Sequence, residues 1–406
     1  MIHRPCCSGN PDIFDSAYFD DPEATFAHLR EAHPVMWART PEGVSVWLVT
    51  RYDDIRAVLS NPLFSASKQN SSDARGGAGL PPALDANLLN MDPPDHTRIR
   101  RLVSGAFTAS RIEGMREKAH TVAHGLVDGF AEKGKADLIK DFAGPFPTRI
   151  ISELLGIETS EYATFQNWIG ILFEADPSDG TTIRRTVGLI VEFLRSCITE
   201  KRRNLQDDLL SAMISARDTH GSLTDDELTS LASLILFAGY ENTVHLIGNS
   251  VLALLDEGAS PDSLQVGITD AAISELIRFR TPGPYATRRF AVQDAILYGR
   301  KISAGDSVLL CLSSANHDER AYRSASSLQL TRAERSSLTF GHGIHYCLGA
   351  PLARLELQVA LEVLGERLRG IRLDVSREQL LWRPSFRSRG LVSLPVSFTT
   401  RRGSHP

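Results

Sequence analysis

The chain of 406 residues has little cysteine, little lysine and no long apolar run. Its cysteines are Cys6, Cys7, Cys197, Cys311 and Cys347, scattered and without a CxxC pair, which excludes a disulfide scaffold and argues against structural zinc. Only 7 of the 44 basic residues are lysine, 49 acidic residues bring the net charge to −5, and neither sign forms a block of five. A nucleic-acid protein would carry a basic stripe, so that class is excluded. No stretch of about 18 apolar residues could span a bilayer, and the first residues lack the apolar core of a secretory signal. The expectation is a soluble, cytoplasmic monomer in a reducing compartment, with neither nucleic acid nor membrane as partner. A hydrophobic content of 42% against 23% charged leaves material for a large core.

What is present is mostly helical periodicity. After a tail expected to be disordered over residues 1–13, helices are predicted at 22–31 and 52–59 with a strand at 44–49 between them. Residues 65–90 are rich in Ser, Gly, Asn and Pro and lack a period, which reads as a lid-like loop. Asp92 is placed to cap a helix starting at Pro93, and further helical periods cover about 111–132, 141–156, 160–174, 181–203 and 207–217. Thr224-Asp-Asp-Glu227 has the capping-box pattern and opens a helix running to about Glu257, apolar nearly all round and therefore central. A helix at 269–280, strands with a Gly299 turn over 285–312, a helix at 348–369 and a strand pair at 389–399 complete the prediction. There is no repeat, linker or composition break, so one mainly α domain with a small β portion is expected.

The most informative segment is Phe340-Gly-His-Gly-Ile-His-Tyr-Cys-Leu-Gly349. An isolated cysteine beside a helix ordinarily serves as a small packing residue. Here Gly341, Gly343 and Gly349 let the backbone turn sharply and approach something bulky, and the helix start beyond Cys347 offers N–H groups to a thiolate. A flat ligand over a thiolate accounts for these features together. A dinucleotide fingerprint fails because Tyr346 stands where the third glycine belongs, and a cysteine hydrolase fails because His345 alone does not supply a base with an orienting partner.

The pattern Phe340-x-x-Gly343-x-His345-x-Cys347-x-Gly349 resembles the haem-ligand loop of the cytochrome P450 superfamily. The resemblance extends from about Phe14 to Phe398. It implies the cytochrome P450 fold, with haem b between the long central helix and the cysteine loop, and Cys347 as the axial iron ligand whose thiolate pushes electron density towards O–O cleavage. Glu275-Leu-Ile-Arg278 matches the family's Glu-x-x-Arg; His96, Arg100, Arg289 and His345 match its haem-propionate contacts, and charge-assisted hydrogen bonds suit such an anion. Phe340, Gly341 and Gly349 belong to the cofactor-binding loop. Ala238, Gly239 and Glu241 match the oxygen-binding segment, where small residues leave room and the acid feeds protons.

Two positions depart from the family. Asn242 stands where a threonine usually takes part in proton delivery, and Thr243 lies about 100° further round the helix. Asn242 can hold a water or bond a substrate directly; His245 and Asn249 continue a polar stripe that reads as an internal hydrogen-bond network. In Ser324-Ala-Ser-Ser-Leu-Gln-Leu330, Ser327 and Leu328 replace an Asp-Arg-Phe run whose arginine would join the Glu-x-x-Arg pair, leaving that support without its third member.

The resemblance implies a monooxygenase, an oxidoreductase that hydroxylates or epoxidises a bulky, mostly apolar secondary metabolite, as in antibiotic biosynthesis. Electrons would come from NAD(P)H through a ferredoxin reductase and a ferredoxin, the latter meeting a basic patch of Arg98, Arg101, Arg332 and Arg335. Pocket candidates are Leu80 to Leu89, residues 165–175, Leu234, Tyr285, Ala286 and Phe386. Oxidative coupling without oxygen insertion is an alternative that the missing threonine favours. A non-catalytic haem sensor or carrier is a third, against which the proton-relay acid Glu241 argues.

Overall fold

The computed structural model describes residues 13–72, 81–158, 164, 167–168, 170–172, 179–220, 222–259, 261, 268–333 and 335–400. Nearly all of the expected tail, Leu80 and most of 160–175 lie outside the described residues. Backbone packing divides the chain into two compact units. The first comprises Met1–Gly79, Thr269–Cys347 and Trp382–Gly390; the second comprises Leu80–Ile268, Leu348–Leu381 and Leu391–Pro406. Each is assembled from separated stretches, so no composition break in the sequence marks them.

In the first unit, five strands form one sheet in the order Val35–Arg39, Ser45–Val49, Ser307–Leu310, Arg289–Ala291, Phe64–Ser65. Ser45–Val49 pairs parallel with Ser307–Leu310 and antiparallel with Val35–Arg39, a strand the sequence reading missed. Trp37 faces Trp47 across that hairpin, their rings edge to face at 5.2 Å, and the Trp47 indole donates to Asp306 at 2.9 Å. The helix Pro22–Ala32 starts where predicted because Asp21 accepts from the Ala24 N–H and Pro22 fills the first position. Helix Tyr52–Ser60 buries Ile55, Val58 and Leu59.

The helix Asp270–Phe279 carries the centre of this unit. Arg278, 1% exposed, uses five N–H donors: two on the Glu275 carboxylate, and the others on the main-chain oxygens of Asn316, Ala325 and Ser327. The third member expected to be missing is present. Arg332, five residues past Ser327, places its Nε 3.0 Å from both Glu275 oxygens, with its side chain 4% exposed. Its reach from a turn, rather than its place in a motif, brings it there, while Ser327 contributes its carbonyl to both arginines. Burial pushes the Glu275 carboxyl up, but the Arg278 fork, the Gln329 N–H and Arg332 outweigh that and hold it below the ordinary carboxylate range.

In the second unit, the long helix Asp225–Asp256 opens with the predicted capping box: the Thr224 hydroxyl accepts from Glu227 N at 3.1 Å and the Glu227 carboxylate accepts from Thr224 N at 2.8 Å. It packs against helices Pro145–Leu155, Gly180–Lys201 and Ala350–Arg367. Several boundaries differ from expectation. The helix expected from Pro93 starts at Asp95, because Pro93 precedes another proline and is disfavoured from helical geometry. The 111–132 period breaks at Gly114 into Ala109–Glu113 and Arg116–Asp128. At the carboxyl end there is one strand, Pro395–Thr400, whose partners are the distant Lys135–Asp137 and Leu368–Leu373.

The stretch expected to be a loop over 65–90 carries short helical turns at Lys68–Asn70, Pro82–Asp85 and Leu88–Asn90. Its last part packs on the long helix. Asn87, 4% exposed, accepts from Leu89 N and donates to Leu84 O and to the Ser230 hydroxyl at 3.1 Å. Among the described residues no helix is long and apolar enough to cross a membrane.

The buried triad makes a stability prediction. Arg332→Met leaves Arg278 on Glu275 but removes a charged donor, and should cost about 1.5–3 kcal/mol in denaturant unfolding. Because Glu275 titrates low in the folded state, its stabilisation is full above the ordinary carboxylate value of about 4.3 and is lost as pH falls through the folded value. With Arg332 gone that depression shrinks, so the acid unfolding limb should begin at higher pH than in the wild type. Unchanged stability and an unchanged acid limb would remove Arg332 from the support.

Candidate functional site

The cysteine loop is built on the Arg278 support. Asn316, whose carbonyl accepts from Arg278, is fully buried; its amide donates to the Thr281 and Thr339 hydroxyls at 2.7 and 2.8 Å and its oxygen accepts from Leu338 N at 2.8 Å. Thr339 donates to Ile277 O at 2.9 Å, so the segment entering the loop is tied to the helix that bears Glu275. Within the loop, Gly341 N donates to Leu338 O and Cys347 N to Phe340 O, both at 2.8 Å. Phe340 lies with its ring 6.3 Å from that of Tyr346.

Gly341 and Gly343 adopt φ of +73° and +72°, where side chains are strained. A Cβ at Gly343 would also stand 2.8 Å from the Leu59 carbonyl oxygen, so the loop lies hard against helix Tyr52–Ser60. Gly349 differs: it caps helix Ala350–Arg367 at φ −81°, which any residue adopts. Cys347 is exposed, as are its neighbours Ile344 and Tyr346. Cys311, by contrast, is buried and its thiol is pushed well up by that burial.

Arg289 is 3% exposed on strand Arg289–Ala291 and donates to Thr287 O at 2.9 Å; His345 is half-buried in the loop. Tyr285, Ala286 and Phe386 are half-buried and pack on the first unit's core. Tyr285 stacks on Phe386 with centroids 4.8 Å apart, and its hydroxyl is 2.7 Å from that of Tyr18. Burial holds the Tyr285 hydroxyl well above its ordinary value, so the phenol stays neutral.

The second unit holds the other candidates. Along the long helix, residues before and after the middle are buried, whereas Ala238 and Asn242 are exposed and Gly239 and Glu241 half-buried. A Cβ on Gly239 would lie 2.8 Å from Ile151 Cδ1, so glycine there permits the helix's close approach to Pro145–Leu155. Thr243 is turned inward: it is 4% exposed and hydrogen-bonded to Glu356, whose carboxyl burial pushes well up. It therefore does not replace the alcohol missing at Asn242.

The polar stripe is not the satisfied network expected. His245 is 2% exposed, its Nε2 is 3.7 Å from Glu241 Oε1, and neither ring nitrogen has a hydrogen-bond partner among the described residues. His96 is buried and Arg100 half-buried, one turn apart on helix Asp95–Ser104, as predicted. Leu89 is 42% exposed and Leu234 half-buried. Of the arginines expected to form a basic patch, Arg332 is buried on Glu275, Arg98 binds Glu227 at 2.6 Å and Asp95 at 3.1 Å, and Arg335 pairs with Asp53 at 2.8 Å. Arg101 is exposed. The patch is thus largely neutralised, because carboxylates distant in sequence fold against these side chains.

The Cytochrome P450 family model matches residues 14–258 and 257–369. The chain is 41% identical over 389 residues to cytochrome P450 monooxygenase PikC of Streptomyces venezuelae, covering 94% of this chain and 92% of the relative. It is 40% identical over 375 residues to mycinamicin IV hydroxylase/epoxidase of Micromonospora griseorubida, covering 91% and 94%. Among solved structures, the tirandamycin C-bound P450 monooxygenase TamI is 35% identical, with a TM-score of 0.87 over 95% of this chain and 99% of that one. With the motifs, the fold and these relatives in agreement, the chain belongs to the cytochrome P450 family and is an oxidoreductase of the monooxygenase class, with haem iron held by a cysteine thiolate as its cofactor.

Proposed function

We propose that this monooxygenase hydroxylates or epoxidises a bulky, mostly apolar small molecule in secondary metabolism, working in the cytoplasm with NAD(P)H-derived electrons delivered by a ferredoxin and its reductase. Mycinamicin IV and tirandamycin C, named with two of its relatives, support a large substrate. The observation that carries the reading is the exposed Cys347 on a loop that Gly343 lets lie close against Leu59.

The donor set fits haem. Among the described residues Cys347 is the exposed cysteine, whose thiolate would ligate the iron, and the mid-helix residues Ala238 and Asn242 are exposed between buried turns. When bound, haem supplies the activation of dioxygen. Cys347 would hold the iron, with Phe340, Gly341 and Gly349 shaping its loop. His96, Arg100, Arg289 and His345 would bind the propionates through charge-assisted hydrogen bonds. The small side chain of the exposed Ala238 would leave room beside bound haem, Gly239 serves the packing of the helix on Ile151, Glu241 would carry protons inward, and Asn242 would orient a water or the substrate. Leu89, Leu234, Ala286, Phe386 and the ring of Tyr285 offer apolar contact; the Tyr285 hydroxyl is engaged by Tyr18.

A second reading, oxidative coupling without oxygen insertion, is favoured by Asn242 and by the inward turn of Thr243, since a substrate with its own polar group could serve where the alcohol is missing. Mass analysis of the product formed under labelled dioxygen separates the two readings.

The purified protein should contain haem, and its reduced carbon monoxide complex should show the red-shifted Soret band of a thiolate ligand. Cys347→Ser should abolish that band; its survival would show that another residue ligates the iron. A screen of metabolites for displacement of water from ferric iron then identifies the ligand.

Asn242→Thr tests the departure. With Asn242 bonded to substrate, the threonine variant should bind more weakly by about 0.5–1.5 kcal/mol, the net value of one hydrogen bond, and release peroxide. Preserved affinity and coupling would mean that Asn242 only holds water. No change in either on Asn242→Ala would make the position a bystander.

A further inference from the structure

His245 is a buried histidine on a helix that otherwise fills its buried positions mainly with apolar or small side chains. Its side chain is 3% exposed and neither ring nitrogen makes a hydrogen bond to a described residue. Two polar groups of the same helix are engaged laterally, Ser230 by Asn87 and Thr243 by Glu356, whereas the Ser250 hydroxyl, like the His245 ring, has no hydrogen-bond partner among the described residues. The contact that His245 makes with a charged group runs along the helix, from Nε2 to Glu241 Oε1 at 3.7 Å. Closing that gap to hydrogen-bond length takes less than about 1 Å.

The arrangement has a direction. Glu241 precedes His245 by four residues, the order in which an acid and a donor on one helix face attract each other best. Glu241 is 21% exposed and stands beside the exposed Asn242 at the middle of the helix, on a side chain that spans three torsions. Histidine is short, planar and held by burial. A fixed ring one turn along can therefore favour one rotamer of the carboxylate, and the partner of one ring nitrogen decides which tautomer persists.

We propose that His245 is a positioning residue for Glu241: its Nε2–H holds the carboxylate on the inward side of the long helix, so that the acid has one dominant conformation when it carries protons. The proposal rests on the reading of Glu241 as the proton carrier. An imidazole that merely fills space would make the same packing contacts without serving Glu241, and the two roles predict different results.

The test uses the haem-loaded protein with His245→Phe, His245→Gln and Glu241→Gln. In nitrogen-15 histidine spectra of the diamagnetic ferrous carbon monoxide complex, His245 of the wild type should show the Nε2-protonated tautomer, and its Nε2 signal should move in Glu241→Gln. An Nε2 signal indifferent to that substitution would overturn the proposal. In turnover, His245→Phe should raise peroxide released per NAD(P)H several-fold and enlarge the solvent isotope effect while substrate affinity is unchanged; His245→Gln, which keeps a donor, should recover most of the coupling. If Glu241→Gln uncouples the enzyme and His245→Phe does not, His245 is only packing. Coupling untouched by Glu241→Gln would instead defeat the reading of Glu241 as proton carrier, while the tautomer measurement still decides the contact. Should His245→Phe fail to retain haem, the wild-type and Glu241→Gln spectra decide alone.

Discussion

A guanidinium withdrawn from water sits at the base of the first unit. Arg278 could not be buried as a lone cation, since removing an ion from water costs several kcal/mol unless its charge and donors are met. The chain meets them with the Glu275 carboxylate and three main-chain oxygens, and Arg332 approaches the same carboxylate from the other side. From Asn316 the constraint passes onward: its carbonyl is fixed by Arg278, and its amide fixes Leu338 and Thr339 at the entrance to the cysteine loop. The placement of one exposed thiol thus depends on a charge cluster that takes no part in chemistry. Hydrogen bonds of this kind add modest net stability but strong geometric definition, which a metal ligand requires.

The second unit solves a different problem. A helix of 32 residues, about 50 Å long, is largely buried over 228–236 and 243–254 and exposed at Ala238 and Asn242 between them. Gly239 lets it approach its neighbour closely, so the middle is held by backbone proximity rather than by large side chains. Polar residues in that region divide by direction. Thr243 turns to the interior and Asn242 outward, although they are adjacent in sequence, because successive helix positions differ by about 100°. The departure at Asn242 therefore changes the chemistry offered on one face without an alcohol reappearing beside it.

Local patterns were legible from the sequence and long-range partners were not. The Thr224 capping box and the helical pairing of His96 with Arg100 depend on residues three or four apart, and both appear as read. The cysteine loop was legible as well, through its glycines and the placing of His345 and Cys347 among them. Arg332 was not: whether an arginine in a turn reaches Glu275 depends on the path of that turn, and the same residue read in isolation looked like part of a docking surface. The last strand was read as half of a local pair within 389–399, whereas its partners lie at 135–137 and 368–373. The anchoring of the segment before residue 90 was hidden for a related reason, since Asn87 has no local period yet finds Ser230 on the long helix.

Three of the donors on Arg278 end on main-chain oxygens, and every residue type carries one of those. The guanidinium therefore senses the path of residues 316–327 and is indifferent to the identity of most side chains along it. Serines and alanines can occupy this turn without loosening the thiol loop, whereas adding or deleting a single residue would move the oxygens out of register. In this part of the molecule, length is under tighter physical constraint than sequence.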